Sequence, residues 1–290
     1  MTTARLSHQA PLVQLLTISV DNYQFLSWKE CFPNDHVDLR ALLYNPSWND
    51  FFDLIEKKPY YKNMLRILDG YMKGKQQMVP PPNLVFNACN ITPLKHIKVV
   101  IMGQDPYFNS NIYNGMDIPQ AMGCSFSVPF GYKAPPSLDN IYNNLVDFGH
   151  VKTKPVSGCL LGWILQGCFM INSSFTTFLG KANQHVQLWE KFTEDLILYL
   201  NDNCEKIVFL AWGANAIKLC SKIDHKKHHI IYSSHPSGFS FMATVKGRTP
   251  NGHDIIHPSF KSTDHFGKTN EYLKANGKKP ILWDMIDDIY

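Results

Sequence analysis

Val99-Val100-Ile101-Met102-Gly103-Gln104-Asp105-Pro106-Tyr107 is an apolar, β-branched run that stops at a glycine, an amide, a carboxylate and a proline. The first half reads as a buried strand, the second as a tight loop at its carboxyl end. In open α/β sheets, ligands bind in the crevice beyond the carboxyl ends of the strands. A carboxylate there costs desolvation energy unless it has partners or chemistry to perform.

The same pattern recurs further along. Cys168-Phe169-Met170-Ile171, Ile207 to Trp212 and His229 to Tyr232 read as short buried strands. They end at Asn172, at Gly213 and at Ser233-Ser234-His235-Pro236. Helical patterns separate them. Ser137 is expected to cap one helix through Ile141, Leu145 and Phe148, and a second runs from Val186 to Leu200 with Leu188, Phe192, Leu196 and Leu200 at i, i+4 spacing. A third spans Ala214 to Ile223, and a last, around Thr269 to Leu273, is stopped by Gly277 and Pro280. Strands alternating with helices imply parallel pairing and right-handed crossovers. The expected class is α/β: a three-layer α/β/α fold around a central four-stranded parallel sheet. Ahead of it lies a helical N-terminal extension. There Ser47-Trp48-Asn49-Asp50 caps a helix through Phe51, Phe52, Leu54 and Ile55, a second covers Met64 to Tyr71, and Pro80-Pro81-Pro82 breaks the chain. Four strands pointing one way deliver Gln104, Asp105, Asn172, Gly213 and His235 to a single edge.

Bulk properties set the bounds. A chain of 290 residues, 44% hydrophobic and 18% charged, is globular and long enough for a substantial core. We expect a flexible arm over residues 1–20 and one domain over 21–290, its motifs lying between 79 and 283. The first twenty residues lack Asp and Glu, and Leu12 to Val20 is apolar, so a weak targeting segment is the alternative to an arm. No apolar run approaches the ~18–20 residues of a membrane span. The net charge of +4 is compatible with a phosphate-binding face without demonstrating one. Seven cysteines without a Cys-x-x-Cys pair indicate reduced thiols in an intracellular setting and argue against an iron–sulfur or structural zinc site.

Taken singly, the polar residues have bland readings. Asp105-Pro106 is an ordinary turn starter. His235 sits in His-Pro-Ser, but so does His257, in His257-Pro258-Ser259. Only His235 follows a strand directly, and it is preferred for that reason. Asn172 can simply close a turn, Phe126 can be a core aromatic, and Ala134-Pro135-Pro136-Ser137 can be a stiff helix lead-in.

Together, however, these segments resemble the family-1 uracil-DNA glycosylases. The similarity runs from about Val79 to Trp283, with five motifs in the family's order. Gly103-Gln104-Asp105-Pro106-Tyr107 is similar to the water-activating loop, and Phe126 lies in what resembles the base-stacking strand. Ala134-Pro135-Pro136-Ser137-Leu138 resembles the proline-rich backbone clamp. Asn172 resembles the base-reading amide, and His235-Pro236-Ser237-Gly238-Phe239-Ser240 the minor-groove intercalation loop. The resemblance implies a monofunctional glycosylase that flips uracil out of single- or double-stranded DNA and hydrolyses its N-glycosidic bond, leaving an abasic site. Asp105 and His235 would be catalytic; Gln104, Tyr107, Phe126 and Asn172 would hold the base; Pro135, Pro136, Ser137, Gly213, Ser237 and Phe239 would hold the DNA. It implies no metal or other cofactor, no membrane, a monomer, and a proteinaceous DNA-mimicking inhibitor as a further partner class. Phe108 stands where the family commonly has histidine, and Gly238-Phe239 where it has Pro-Leu. Two long loops, 109–122 and 241–264, are expected near the DNA face. The rival reading is a catalytically weak DNA-binding or replication-accessory module on the same fold.

Overall fold

A computed structural model describes residues 18–248 and 253–286. The central sheet has four parallel strands: β1 (Val99–Gly103), β2 (Cys168–Asn172), β3 (Val208–Trp212) and β4 (His229–Ser233). Their spatial order is β2-β1-β3-β4. β1 and β3 are fully buried runs, as expected of strands covered on both faces by helices. The chain passes from β1 to β2 on one side and returns across β1 to β3 on the other. The order therefore reverses between β1 and β3, and a crevice opens at the carboxyl ends of these two strands.

Helices at Pro136–Asp147, Leu161–Leu165, Val186–Asn203, Ala214–Cys220 and His265–Ala275 complete the α/β/α layers. The long helix buries Trp189, Phe192, Leu196 and Leu200, the face anticipated from its i, i+4 spacing. The N-terminal helices Asn49–Ile55 and Tyr61–Lys73 form the expected extension and share its core. Trp48 stacks on Phe169 of β2 at 5.0 Å, and Phe51 meets Phe192 of the long helix at 5.5 Å. Lys58 and Tyr60 both reach Asp195, at 2.9 and 2.8 Å.

Several local expectations are corrected. Ser47 does not cap a helix; it lies within a 3-10 turn at Pro46–Trp48, and its hydroxyl accepts from the amide of Leu94. Ser137 is not a cap either, because Pro136, preset for helical φ, takes the first helical position and Pro135 the cap. Phe126 lies in a turn with φ of 60°, not in a strand. The two long loops are antiparallel hairpins, Ser110–Tyr113 with Met116–Pro119 and Val245–Arg248 with Asp254–His257. Of the segment read as an arm, residues 1–17 lie outside those described. Ile18 and Val20 are buried, and Ser19 bridges to Phe130. Among the described residues no helix is long and apolar enough to cross a membrane. The seven cysteines are buried and free.

Candidate active site

The strand ends converge on one cavity of about 640 Å³. Gln104, Asp105, Tyr107, Phe126, Ser137, Asn172, Gly213, His235 and Ser237 all line it. Pro135 and Pro136 stand beside it at the start of their helix, and Asn140 of that helix donates to the carbonyl of Pro236 at 2.7 Å. This bond ties the proline-rich lead-in to the loop bearing His235. Phe239 is outside the cavity and fully exposed (100%) on a 3-10 turn at Gly238–Phe241.

Gly103 closes β1 because nothing larger fits. A Cβ there would sit 2.2 Å from Asn172 Oδ1, so the Asn172 amide lies directly across the glycine backbone. The loop beyond is pinned to the next strand end. The amides of Ser173 and Ser174 donate to the carbonyls of Gly103 and Gln104 at 2.9 and 3.0 Å. Asp105 then projects into the cavity. Its Oδ2 accepts from the amide of Asn183 at 2.6 Å, whereas its Oδ1 is buried with no hydrogen-bond partner among the described residues. Burial pushes the carboxyl up to about 6, against the pull of the Asn183 amide and of the nearby Thr177 and Ser174 hydroxyls. Those two hydroxyls donate elsewhere, to the carbonyls of Lys181 and Thr176. Oδ1 is thus an acceptor held without a donor.

His235 faces the same space. The backbone amide of Ser237 donates to its Nδ1 at 3.1 Å, and the Ser237 hydroxyl lies 2.7 Å from the same nitrogen. A nitrogen that accepts from an amide carries no proton, so the neutral ring bears its hydrogen on Nε2. Burial lowers this imidazole to about 4, keeping it neutral throughout the physiological range. Gly213 has φ of 90°, and a Cβ there would approach His235 Cβ to 3.1 Å. A glycine is therefore needed both for the turn and for its closeness to the ring. Its amide is engaged with the carbonyl of Ser233 at 2.9 Å, and the next residues, Ala214 and Asn215, open a helix and line the cavity. His257 is buried in a hairpin strand with its ring stacked on Tyr232, away from the cavity lining.

Phe126 supplies an apolar wall. Its ring packs on Trp212 at 5.5 Å and on His235 at 5.8 Å. A φ of 60° is unusual for an aromatic residue and is held by its neighbours: Ser125 donates to the carbonyl of Ile101 at 3.0 Å, and Tyr107 donates to the carbonyl of Phe126 at 3.4 Å. The side chain of Gln104 donates to Asn183 Oδ1 at 2.8 Å. Asn183, with φ of 59°, thus braces both Gln104 and Asp105. Sequence reasoning missed it. Nothing local marks it beyond asparagine's tolerance of left-handed backbone. Among the described residues no group of three or more His, Cys, Asp or Glu side chains is placed to hold a metal ion.

The arrangement offers one carboxylate acceptor, one neutral imidazole donor, one side-chain amide and an aromatic wall around one cavity. Comparison with known proteins gives a consistent picture. The family model described as the uracil DNA glycosylase superfamily matches residues 89–275. The chain is 50% identical over 276 residues to a probable uracil-DNA glycosylase of Acanthamoeba polyphaga mimivirus, covering 94% of this chain and 74% of that protein. It is 40% identical over 242 residues to the uracil-DNA glycosylase of Buchnera aphidicola subsp. Cinara cedri, covering 83% and 96%. The crystal structure of mimivirus uracil-DNA glycosylase matches with a TM-score of 0.91 at 50% identity, covering 95% of this chain and 99% of that one. A mimivirus UNG variant in complex with UGI matches at 0.89 and 51% identity, covering 93% and 99%.

Proposed function

The chain belongs to the uracil DNA glycosylase superfamily and is a hydrolase that excises uracil from DNA in repair; from that premise we propose how its residues divide the work. A uracil within the stack is out of reach, so the nucleotide must be turned out into the cavity at a cost of a few kcal/mol. Exposed Phe239 fills the gap left in the stack and delays return of the base. Ser137, Ser237 and the amides following Gly213 hold the flanking phosphates, with Pro135 and Pro136 stiffening that edge. Phe126 stacks on the ring, a contact of ~1–3 kcal/mol. Asn172 pairs with the N3/O4 edge; cytosine, with donor and acceptor reversed there, leaves unpaired groups. Tyr107 stands against C5 and excludes the methyl of thymine. Gln104 acts through its backbone, since its side chain is bonded to Asn183.

In the chemical step, water attacks C1′ while the C1′–N1 bond breaks and its electron pair leaves with uracil. Asp105, ionised above about pH 6, stabilises the cationic sugar and takes the proton of the attacking water on Oδ1. His235 stays neutral and donates its Nε2 hydrogen to the charge developing on O2, an effect of ~10²–10³ in rate for a preorganised donor. No lysine nucleophile takes part in this scheme, so the product is an abasic site in an unbroken strand. The observation that carries the reading is the donorless Asp105 Oδ1 lining the same cavity as an imidazole whose other nitrogen is already an acceptor.

The partners proposed are uracil-containing DNA, single- or double-stranded, and a proteinaceous inhibitor that imitates it, by extension from the mimivirus relative solved with UGI. The workplace is a DNA-containing intracellular compartment. The test is incubation with a uracil-containing oligonucleotide followed by alkali. Strand breaks that require both uracil and alkali are expected. Breaks without alkali would contradict the single-step scheme. Their absence at every salt concentration, with binding retained, would favour an accessory DNA-binding module.

A further inference from the structure

The hairpin Val245–Arg248/Asp254–His257 takes no part in the scheme above, and its two faces differ. Cross-strand partners share a face. Val245 pairs with His257 and Gly247 with Ile255. This face packs inward except at Ile255, which is part exposed: the His257 ring stacks on Tyr232 at 4.7 Å, and a Cβ on Gly247 would come within 3.3 Å of Ile217 in the helix Ala214–Cys220. On the other face Lys246 pairs with Ile256 and Arg248 with Asp254. Lys246 and Arg248 are exposed, as is Ile256 at 67%. Arg248 lies 3.5 Å from Asp254, and Lys246 has no ion-pair partner among the described residues.

The hairpin starts at the cavity. Thr244 and Val245 line it, so Lys246 stands one residue, about 3.8 Å of backbone, beyond the rim. Before them come Phe239 and Met242, 100% and 70% exposed. From Phe239 to Arg248 the chain thus forms one exposed edge, apolar where the stack would be opened and cationic where the strand would continue. The other hairpin, Ser110–Tyr113/Met116–Pro119, offers a contrast. It contains no lysine or arginine, carries Asp117, and exposes Ile112.

We propose that the outer face of the paired strands Val245–Arg248 and Asp254–His257 is a second DNA-contact surface, gripping the phosphate backbone beside the extruded nucleotide. Lys246 makes the principal phosphate contact. Arg248 swings from Asp254 to the next phosphate, and Ile256 lies along the sugar edge. This rests on the uracil-excision reading, and it adds a longer footprint to it.

The test is the variant K246A/R248A, first shown to melt with the wild type, and assayed on two substrates. One is a uracil-containing duplex of about 30 base pairs, the other a three-nucleotide single strand too short to reach the hairpin. On the duplex we expect a 5- to 20-fold lower kcat/KM at low salt. The log–log salt dependence should become shallower by about one to two, at ~0.9 for each phosphate that is no longer neutralised. On the trinucleotide the rates should agree within twofold. An unchanged duplex rate and salt slope would overturn the proposal, and so would equal losses on both substrates. Should the wild type release uracil from neither, the excision reading fails on its own. The hairpin is then judged by the salt slope of binding to unmodified duplex, where an unchanged slope in the variant again overturns it.

Discussion

Asp105 is buried with unequal oxygens: Oδ2 has a single amide donor, and Oδ1 has none among the described residues. Its folded value of about 6 exceeds the ordinary 3.8, so the fold binds this proton more tightly than the open chain does. The stability linked to it is present below about pH 4 and is lost as pH rises through 6. Asp105→Asn should therefore melt a few degrees higher than wild type at pH 8, by on the order of 2 kcal/mol after allowing for part exposure, with the gap closing by pH 4. The same variant should lose about 10²–10⁴ in turnover while still binding DNA. A melting gap that is absent at pH 8 would mean the carboxylate is well solvated. Gly103→Ala should act through its neighbour, since the added methyl would displace the Asn172 amide 2.2 Å away. Excision should fall at least tenfold with the melting temperature changed far less, and an active variant would show that Asn172 tolerates displacement. Asp105, Asn172 and His235 were legible because each lies within three residues of the end of an apolar run. Asn183 and the tautomer of His235 were not, because both depend on hydrogen bonds between loops distant in sequence or on backbone geometry.

The parallel strands declared themselves as short β-branched or apolar runs, and the long helix by its spacing. Boundaries suffered where two local signals competed. At Pro136-Ser137, proline's fixed φ outranked the serine's capping tendency. The hairpins were hidden because their strands carry mixed polar and apolar residues with weak alternation. Yet Asn114 and Gly115 both take positive φ, at 49° and 78°, and Asn-Gly is a strong two-residue hairpin signal. That dipeptide could have revealed the first of them. The N-terminal helices make a separate claim, that they support the sheet without entering the chemistry. Phe51 is 1% exposed and packs among Trp48, Phe52, Phe192 and Tyr199. Phe51→Ala should lower stability by about 3–5 kcal/mol while the excision rate per folded molecule stays within twofold, measured well below the melting transition. A large fall in that rate would tie the extension to the site.

Considered entire, the molecule places its reactive groups where sheet topology allows a crevice. The order β2-β1-β3-β4 opens the sheet between β1 and β3, and residues more than a hundred positions apart meet there. A net charge of +4 is modest for an enzyme that handles a polyanion, so local placement of donors matters more than the overall field. The central claim is that Asp105 and His235 act on one bond from within one cavity, with the carboxylate titrating and the imidazole not. The most direct test is the single-turnover rate of uracil release between pH 4.5 and 9. For the wild type the rate should rise tenfold per pH unit below about 6 and level off above it. Asp105→Asn should be slower by about 10²–10⁴ and show no such rise, whereas His235→Ala should be slower yet keep the inflection. An inflection near 6 that survives in Asp105→Asn, or disappears only in His235→Ala, would contradict the account.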